Sequence, residues 1–137
     1  MEFEADDSGW PIVVTRLGEV SERTMVQMLG LMDQWIARGE RFGLIIDLRG
    51  TGGLTPEARA MVVRHIKENG PLLAKLYVQA AVSDTLRQRT LYFAMQLLAP
   101  PPFPSKVFKE IEPARAWLSE TLGIAATPGG PGGASRA

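Results

Sequence analysis

The segment from Leu44 to Glu57 constrains the fold of this chain more than any other part of the sequence. A short apolar run, Leu-Ile-Ile-Asp-Leu, leads into Arg-Gly-Thr-Gly-Gly-Leu-Thr-Pro-Glu, a glycine-rich turn that ends in a helix start. Apolar runs of this kind are typical of strands that helices cover on both faces of a parallel or mixed sheet. Thr55 suits the helix cap and Pro56 the first helical turn. The segment therefore predicts an α/β fold, in which functional residues gather at the carboxyl ends of strands.

Charge and residue types restrict the possible functions. Fifteen basic residues balance 15 acidic ones, so the sequence lacks the basic excess typical of nucleic-acid binding, and we expect no nucleic-acid partner. The absence of cysteine excludes disulfides, thiolate metal sites and thiol nucleophiles. With a single histidine and scattered carboxylates, we expect no metal and no cofactor.

The two ends of the chain carry different signals. Residues 1–7 are acidic and contain no apolar run, so no secretory signal is expected. No apolar stretch approaches the roughly 20 residues of a membrane span, and we expect a cytoplasmic protein. Residues 125–137 are dominated by Gly, Pro, Ala and Ser, which predicts a disordered tail after a folded domain of residues 1–124.

Periodicity and capping signals predict the element order β-β-α-β-α-β-α-β-α. This order predicts a single small α/β domain, with a mixed sheet of about five strands and about four helices. Pro11 near the start of the second strand argues for an edge position, and Asn69-Gly70-Pro71 predicts the end of the second helix. The predicted elements are two strands within 3–14, helix 21–38, strand 42–48, helix 56–69, strand 74–82, helix 85–98, strand 106–109 and helix 114–122.

The glycine-rich turn has three interpretations. The turn is purely structural if the glycines supply positive φ angles and Thr55 only caps the helix. It is a protein-docking or phosphorylation loop if Thr51 or Thr55 supplies the hydroxyl. It binds an anion if the backbone N–H groups at the helix start point at a phosphate, although neither glycine-rich phosphate-binding motif is present.

Two titratable residues are candidates for chemistry. A desolvated Asp47 is a candidate general base, but an acceptor of hydrogen bonds from the following turn is the favoured role. His65 lies in helix 56–69 beside the apolar positions Val62 and Ile66, without a motif that supplies a nucleophile. A structural role for His65 is therefore favoured over catalysis.

Helix 85–98 carries more apolar residues than one sheet face needs. Its second half is apolar on more than one side, and a proline run extends this surface. The helix either packs into a crowded core, which is the favoured interpretation, or lines a groove or a dimer contact. The candidate pocket residues are Tyr92, Phe93, Met95 and Phe103.

Two stretches resemble known families. Ile45-Ile46-Asp47-Leu48 before a loop and helix is similar to the STAS superfamily of bacterial anti-sigma-factor antagonists. Phe108, followed by a helix with Ala116-Trp117-Leu118, more specifically resembles the SpoIIAA-like family. The resemblance covers about residues 10–122. It implies a mixed-sheet α/β domain, related in shape to the lipid-carrying CRAL-TRIO domains, and a regulatory protein-binding role rather than an enzyme.

The resemblance also implies a site, with one departure. Classical antagonists carry a phosphorylated Ser or Thr directly after the Asp-Leu pair, and here Arg49 occupies that position, with Thr51 the nearest hydroxyl. We expect a docking surface for an unidentified protein at loop 49–55 and the start of helix 56–69, and self-association as a homodimer is a further expectation. The alternative is an apolar-ligand or lipid pocket under helix 85–98. The docking residues are Asp47, Arg49, Thr51, Gly52, Gly53 and Thr55.

Overall fold

A five-stranded mixed sheet and four helices make up the structure, a computed structural model that describes residues 3–124. This confirms the predicted fold class and element order. The strands are β1 (Phe3–Asp6), β2 (Ile12–Leu17), β3 (Phe42–Asp47), β4 (Tyr77–Val82) and β5 (Ser105–Phe108). The helices are α1 (Glu22–Ala37), α2 (Pro56–Leu76), α3 (Leu86–Leu98) and α4 (Ile111–Leu122). The predicted tail, 125–137, lies outside the described residues.

The strands lie in the sheet in the same order as in the chain, β1-β2-β3-β4-β5. β1 pairs antiparallel with β2, and every later pair is parallel. Crossovers between parallel strands are almost always right-handed, so successive crossovers that advance in one direction place their helices on one face. α1, α2 and α3 therefore share one face of the sheet, and within residues 3–124 α4 alone covers the other.

The face under α4 is closely packed. Leu118 and Ala114 of α4 are fully buried against Ile45, Val78 and Val82 of the sheet. A Cβ atom added at Gly43 would lie 2.9 Å from Leu118 Cδ2, so this glycine permits the close approach of α4. Phe108 and Trp117, from the two stretches of the SpoIIAA-like resemblance, pack with ring centroids 5.7 Å apart.

The other face has a methionine- and aromatic-rich core. The stripe of α1 buries Met25, Met28, Met32, Trp35 and Ile36. Aromatic rings continue across the starts of the strands, from Trp35 and Phe42 to Tyr77 and Phe103. α3, in contrast, has no buried residue. The interpretation that helix 85–98 packs into a crowded core is therefore wrong, because all of its residues remain half-buried or exposed.

Two predictions that were based on proline are also wrong, one on the end of the second helix and one on the position of β2 in the sheet. The second helix does not stop at Asn69 but continues through Pro71 to Leu76, and the next strand begins at Tyr77 rather than Ala74. Leu73 and Leu76 are buried, so core packing of the last turns outweighs the local stop signal. β2 is not an edge strand, since Pro11 immediately precedes it and leaves the ladder donors of Ile12–Leu17 intact.

Candidate functional site

Asp47, the last residue of β3, holds two arginines at the start of the glycine loop. Its side chain is 1% exposed. Asp47 Oδ1 accepts from the Arg49 backbone N–H (3.1 Å) and from Arg49 Nε (2.9 Å). Asp47 Oδ2 accepts from Arg49 Nη2 (3.0 Å) and Arg16 Nη2 (3.2 Å). The prediction that Asp47 accepts hydrogen bonds from the following turn is confirmed.

The ionisation of Asp47 follows from these contacts. Burial acts to raise the pKa of the Asp47 carboxyl, but the hydrogen bonds from Arg49 and the charges of Arg49 and Arg16 outweigh it and lower the pKa. The same pairing raises the pKa of the Arg49 guanidinium. A carboxylate that is stabilised as an anion is a weak proton acceptor, so this geometry is that of a structural ion pair rather than of a general base.

The glycine loop is fastened to the segment after β2. The Thr51 hydroxyl donates to the Leu17 carbonyl oxygen, and the Gly52 N–H donates to the Gly18 carbonyl (3.0 Å). A parallel bridge also joins Val20 and Leu54. Gly52 and Gly53 remain exposed. The loop is thus exposed to solvent but held in place by hydrogen bonds to the segment after β2.

The residues around the helix start have local roles. Thr55 caps α2 by accepting from the Ala58 N–H (3.1 Å), as the structural interpretation of the turn predicts. Gly50 has φ +78°, a conformation that glycine adopts without strain. The other loop glycines, Gly52 and Gly53, do not have positive φ. The positive-φ argument therefore applies to one position of the turn.

An apolar cavity of about 190 Å³, partly open to solvent, lies between the sheet and the three helices of this face. The methionine stripe of α1 forms one wall, and α2 contributes residues such as Val62 and Ile66. α3 closes the opposite side. The glycine loop itself, residues 51–54, forms part of the rim. The two predicted sites, docking loop and apolar pocket, are therefore neighbours.

The predicted pocket residues divide into two groups. Tyr92, Met95 and Phe103 line the cavity. Phe93 does not, and its ring is half exposed on the outer side of α3. The sequence interpretation missed three glutamines in the wall, Gln79, Gln88 and Gln96. A lone Gln in the otherwise apolar strand Tyr77–Val82 is a signal that could have indicated the first of them.

His65 joins two helices at the cavity wall. Its Nε2 lies 2.9 Å from Asp33 Oδ1 of α1, which agrees with the favoured structural role. Asp47 is paired with arginines instead, so the structure does not bring the two catalytic candidates, Asp47 and His65, into one hydrogen-bonded pair. Within residues 3–124, no three His, Asp or Glu side chains group as a metal site. No helix in that range is long and apolar enough to cross a membrane.

The fold and the site define a class: a small α/β domain whose mixed sheet carries three helices on one face and an apolar cavity beneath them. The chain belongs to the SpoIIAA-like family, whose model matches residues 12–119. The resemblance inferred from the two sequence stretches is thereby confirmed. The comparison with curated proteins finds no match.

A solved structure supports the same fold. It is an uncharacterized protein from the DUF3478 family with a SpoIIAA-like fold, from Shewanella loihica PV-4. The TM-score is 0.62 at 17% sequence identity, over 85% of this chain and 91% of that chain. At this identity the likeness shows the fold alone.

Proposed function

We propose that this protein is a non-enzymatic binding module that holds a small apolar ligand in the cavity between the sheet and α3. The cavity of about 190 Å³ carries this proposal. The cavity is partly open to solvent, and its exposed lining is predominantly apolar. A ligand that covers these walls removes apolar surface from water, which supplies binding energy.

The walls suit an exchangeable ligand. Met25, Met28 and Met32 are unbranched and adapt to the shape of a guest. α3 has no buried residue, so few apolar contacts hold it against the sheet. Hydrogen bonds of Tyr92 and Gln96 to Gln79 and Ser105 hold α3 to the sheet instead. Because the cavity is partly open, a ligand enters beside α3 without displacing it.

Native mass spectrometry of the purified protein tests the proposal. A co-purified apolar ligand adds its mass to the protein, and toluene added to the extracted protein shifts the amide NMR signals of residues around the cavity. Ala99→Leu places three additional carbons at the buried cavity wall, so this variant loses toluene binding.

The matched control is Ala116→Leu, the same change at an exposed position of α4 on the opposite face. It keeps ligand binding at the wild-type level. A clean apo mass together with no toluene-induced NMR shifts in the wild-type protein contradicts the proposal.

The second candidate function is the docking of a protein partner through loop 49–55 and the start of α2. The fixed geometry of the loop favours it, because Thr51, Gly52 and Thr55 are all hydrogen bonded to residues 17–20. A surface that is already ordered loses little conformational entropy on binding. Loops held by a rigid scaffold are common sites of recognition.

Affinity capture with two glycine variants tests the docking function. Gly53→Arg adds a long charged side chain to the exposed loop, and Gly30→Arg adds the same side chain to the exposed surface of α1. Neither glycine has a positive φ or a neighbour within 4 Å of an added Cβ. The partner is retained by wild type and Gly30→Arg and lost from Gly53→Arg. Equal capture by both variants removes the docking function.

A phosphorylation switch at Thr51 is a finer part of this second candidate. Phosphorylation adds about two negative charges near the amino end of α2, where anions are favoured. It also requires the Thr51 hydroxyl to give up its hydrogen bond to the Leu17 carbonyl, which releases the loop from that segment. If Thr51→Glu leaves partner affinity unchanged, the switch is excluded.

Self-association belongs to the same candidate. The outer side of α3 exposes Leu86, Phe93, Leu97 and Leu98, with Leu97 84% exposed. A second copy that covers these side chains removes them from water. Sedimentation velocity of wild type and Leu97→Gln measures this, and a monomer at all concentrations contradicts it.

A further inference from the structure

One part of the cavity wall, the polar end, carries a hydrogen-bonded network, and the remaining wall is apolar apart from Thr51, His65 and Gln88. Gln79, Gln96 and the Tyr92 hydroxyl lie there. The Tyr77 hydroxyl donates to Gln79 Oε1 (2.7 Å), and Gln79 Nε2 donates to the Tyr92 oxygen. Tyr92 and Ser105 share a hydrogen bond of 2.7 Å, and Gln96 Nε2 donates to Ser105 Oγ (2.7 Å).

The hydrogen bonds of this network can be exchanged. Tyr92 and Ser105 each carry one hydroxyl hydrogen, and their mutual bond uses only one of the two. Gln96 also hydrogen-bonds the Tyr92 side chain, and a half-turn of its amide presents Oε1 instead of Nε2 to these hydroxyl groups. A ligand group that both donates and accepts can therefore replace one partner in the network without leaving a polar atom unpaired.

The network is also uncharged. Burial raises the pKa of the Tyr77 and Tyr92 phenols, so both remain protonated at neutral pH. Among residues 3–124, no Lys, Arg, Asp or Glu lines the cavity. Its histidine, His65, is already paired with Asp33. A buried carboxylate or ammonium would find no counter-charge in this wall, and such burial is strongly unfavourable.

The cavity volume indicates the size of ligand that its walls can surround. An apolar cavity of about 150 Å³ is large enough for benzene, whereas drug-sized ligands occupy roughly 300 Å³ or more. The volume of about 190 Å³ therefore suits one ring with a small substituent, or a short chain of similar size.

We propose that the cavity selects small uncharged amphiphiles, of the size of a substituted benzene, whose single neutral group both donates and accepts a hydrogen bond at Gln79, Tyr92 and Gln96. Alcohols, phenols and primary amides have this chemistry. This inference rests on the proposed ligand-binding function and adds the class of ligand to it.

Three probes with the same ring test the inference by isothermal titration calorimetry at pH 7: benzyl alcohol, toluene and benzoate. Benzyl alcohol binds severalfold to tenfold more tightly than toluene, which is the range that one or two net hydrogen bonds provide. Benzoate binds at least tenfold more weakly than benzyl alcohol, because its charge has no partner in the cavity.

Variants then locate the selectivity. Gln96→Leu keeps a similar side-chain volume and removes the amide C=O and NH2, so the ratio of benzyl alcohol to toluene affinity falls toward one. Ser105→Ala removes one hydroxyl group of the network and lowers the same ratio without a large change in volume. Gln34→Leu, at an exposed position of α1 outside the cavity, is the matched control and keeps the wild-type ratio.

The outcomes separate this inference from the proposed function. If none of the three probes binds the wild-type protein, the ligand-binding function itself fails, and the inference fails with it. If toluene binds but benzoate binds as tightly as benzyl alcohol, the ligand-binding function stands and the inference is overturned. An alcohol-to-toluene ratio that is unchanged in both Gln96→Leu and Ser105→Ala also overturns it.

Discussion

The two faces of the sheet are built from the same strands but differ in packing. Under α4, Leu118 is fully buried and the helix approaches so closely that Gly43 has no room for a side chain. Under α1, α2 and α3, a cavity remains, and α3 buries none of its residues. The looser packing lies on the face that three helices share, at the position where α3 meets the edge of the sheet. The face under α4 therefore contributes mainly to stability, whereas the face under α1, α2 and α3 has space for binding.

Truncation of one leucine on each face is expected to show the largest difference. Leu118→Ala removes a fully buried side chain under α4 and costs about 4 kcal/mol of unfolding free energy. Leu91→Ala on α3 removes a side chain that is 46% exposed and costs about 1 kcal/mol. Urea denaturation measures both. Equal losses would show that the two faces are equally packed.

Removal of the Asp47 charge is expected to have the next largest effect. Asp47→Asn leaves Arg16 and Arg49 without their anion, but both guanidinium groups are partly exposed, so the cost is about 2 kcal/mol rather than the larger value of a fully buried pair.

This loss depends on pH with a defined sign. The folded-state pKa of Asp47 is lowered, so its stabilisation is present above the unfolded pKa of about 3.9 and is lost as the pH falls through the folded value. The difference in unfolding free energy between wild type and Asp47→Asn, measured from pH 7 to pH 2, therefore shrinks below about pH 4. A difference that is constant over this range would exclude Asp47 as the source.

Addition of a methyl group under α4 is expected to destabilise the protein. A Cβ at Gly43 meets Leu118 Cδ2 at 2.9 Å, and Leu118 Cδ1 and Leu122 Cδ1 at 3.3 Å. Gly43→Ala costs about 1–2 kcal/mol, because the leucine side chains must move in a packed core. Thermal unfolding detects this as a lower Tm. An unchanged Tm would show that α4 has room to shift.

Addition of carbon on the cavity side is expected to have the smallest effect and the opposite sign. Ala99 is buried and lines the cavity, so Ala99→Val fills empty space and raises the unfolding free energy by about 0.5 kcal/mol. Its extended backbone (φ −138°, ψ 85°) suits a β-branched residue. A Tm below that of wild type would show that the space beside Ala99 is already filled.

The elements were predictable because their signals are local. Three such signals are the apolar run at Leu44–Leu48, the turn after Asp47 and the cap at Thr55. Each depends only on residues that are close to it in the sequence. The end of α2 was not predictable, since it depends on the burial of Leu73 and Leu76 against the rest of the fold.

The candidate site was predictable only in part. Asp47 and the glycine loop were predicted from their place at the carboxyl end of a strand. Tyr92, Met95 and Phe103 were predicted from the excess of apolar residues in and after helix 85–98. The cavity itself lies between the sheet and three helices. It depends on how these separate segments pack together, which no pattern within one segment determines. The polar end joins Gln79 to Tyr92 and Ser105, which are distant in sequence, so only the fold shows that they form one network.

The sequential strand order has a consequence for synthesis of the protein. Because each strand pairs with the one before it, the sheet can assemble in the order in which the chain leaves the ribosome. α1, α2 and α3 each emerge between two strands, but α4 emerges after all five. Until then, Ile45, Val78 and Val82 have no helix to cover them. The most tightly packed face of the finished protein is therefore the last to be closed, and in the nascent chain it is the surface most in need of protection.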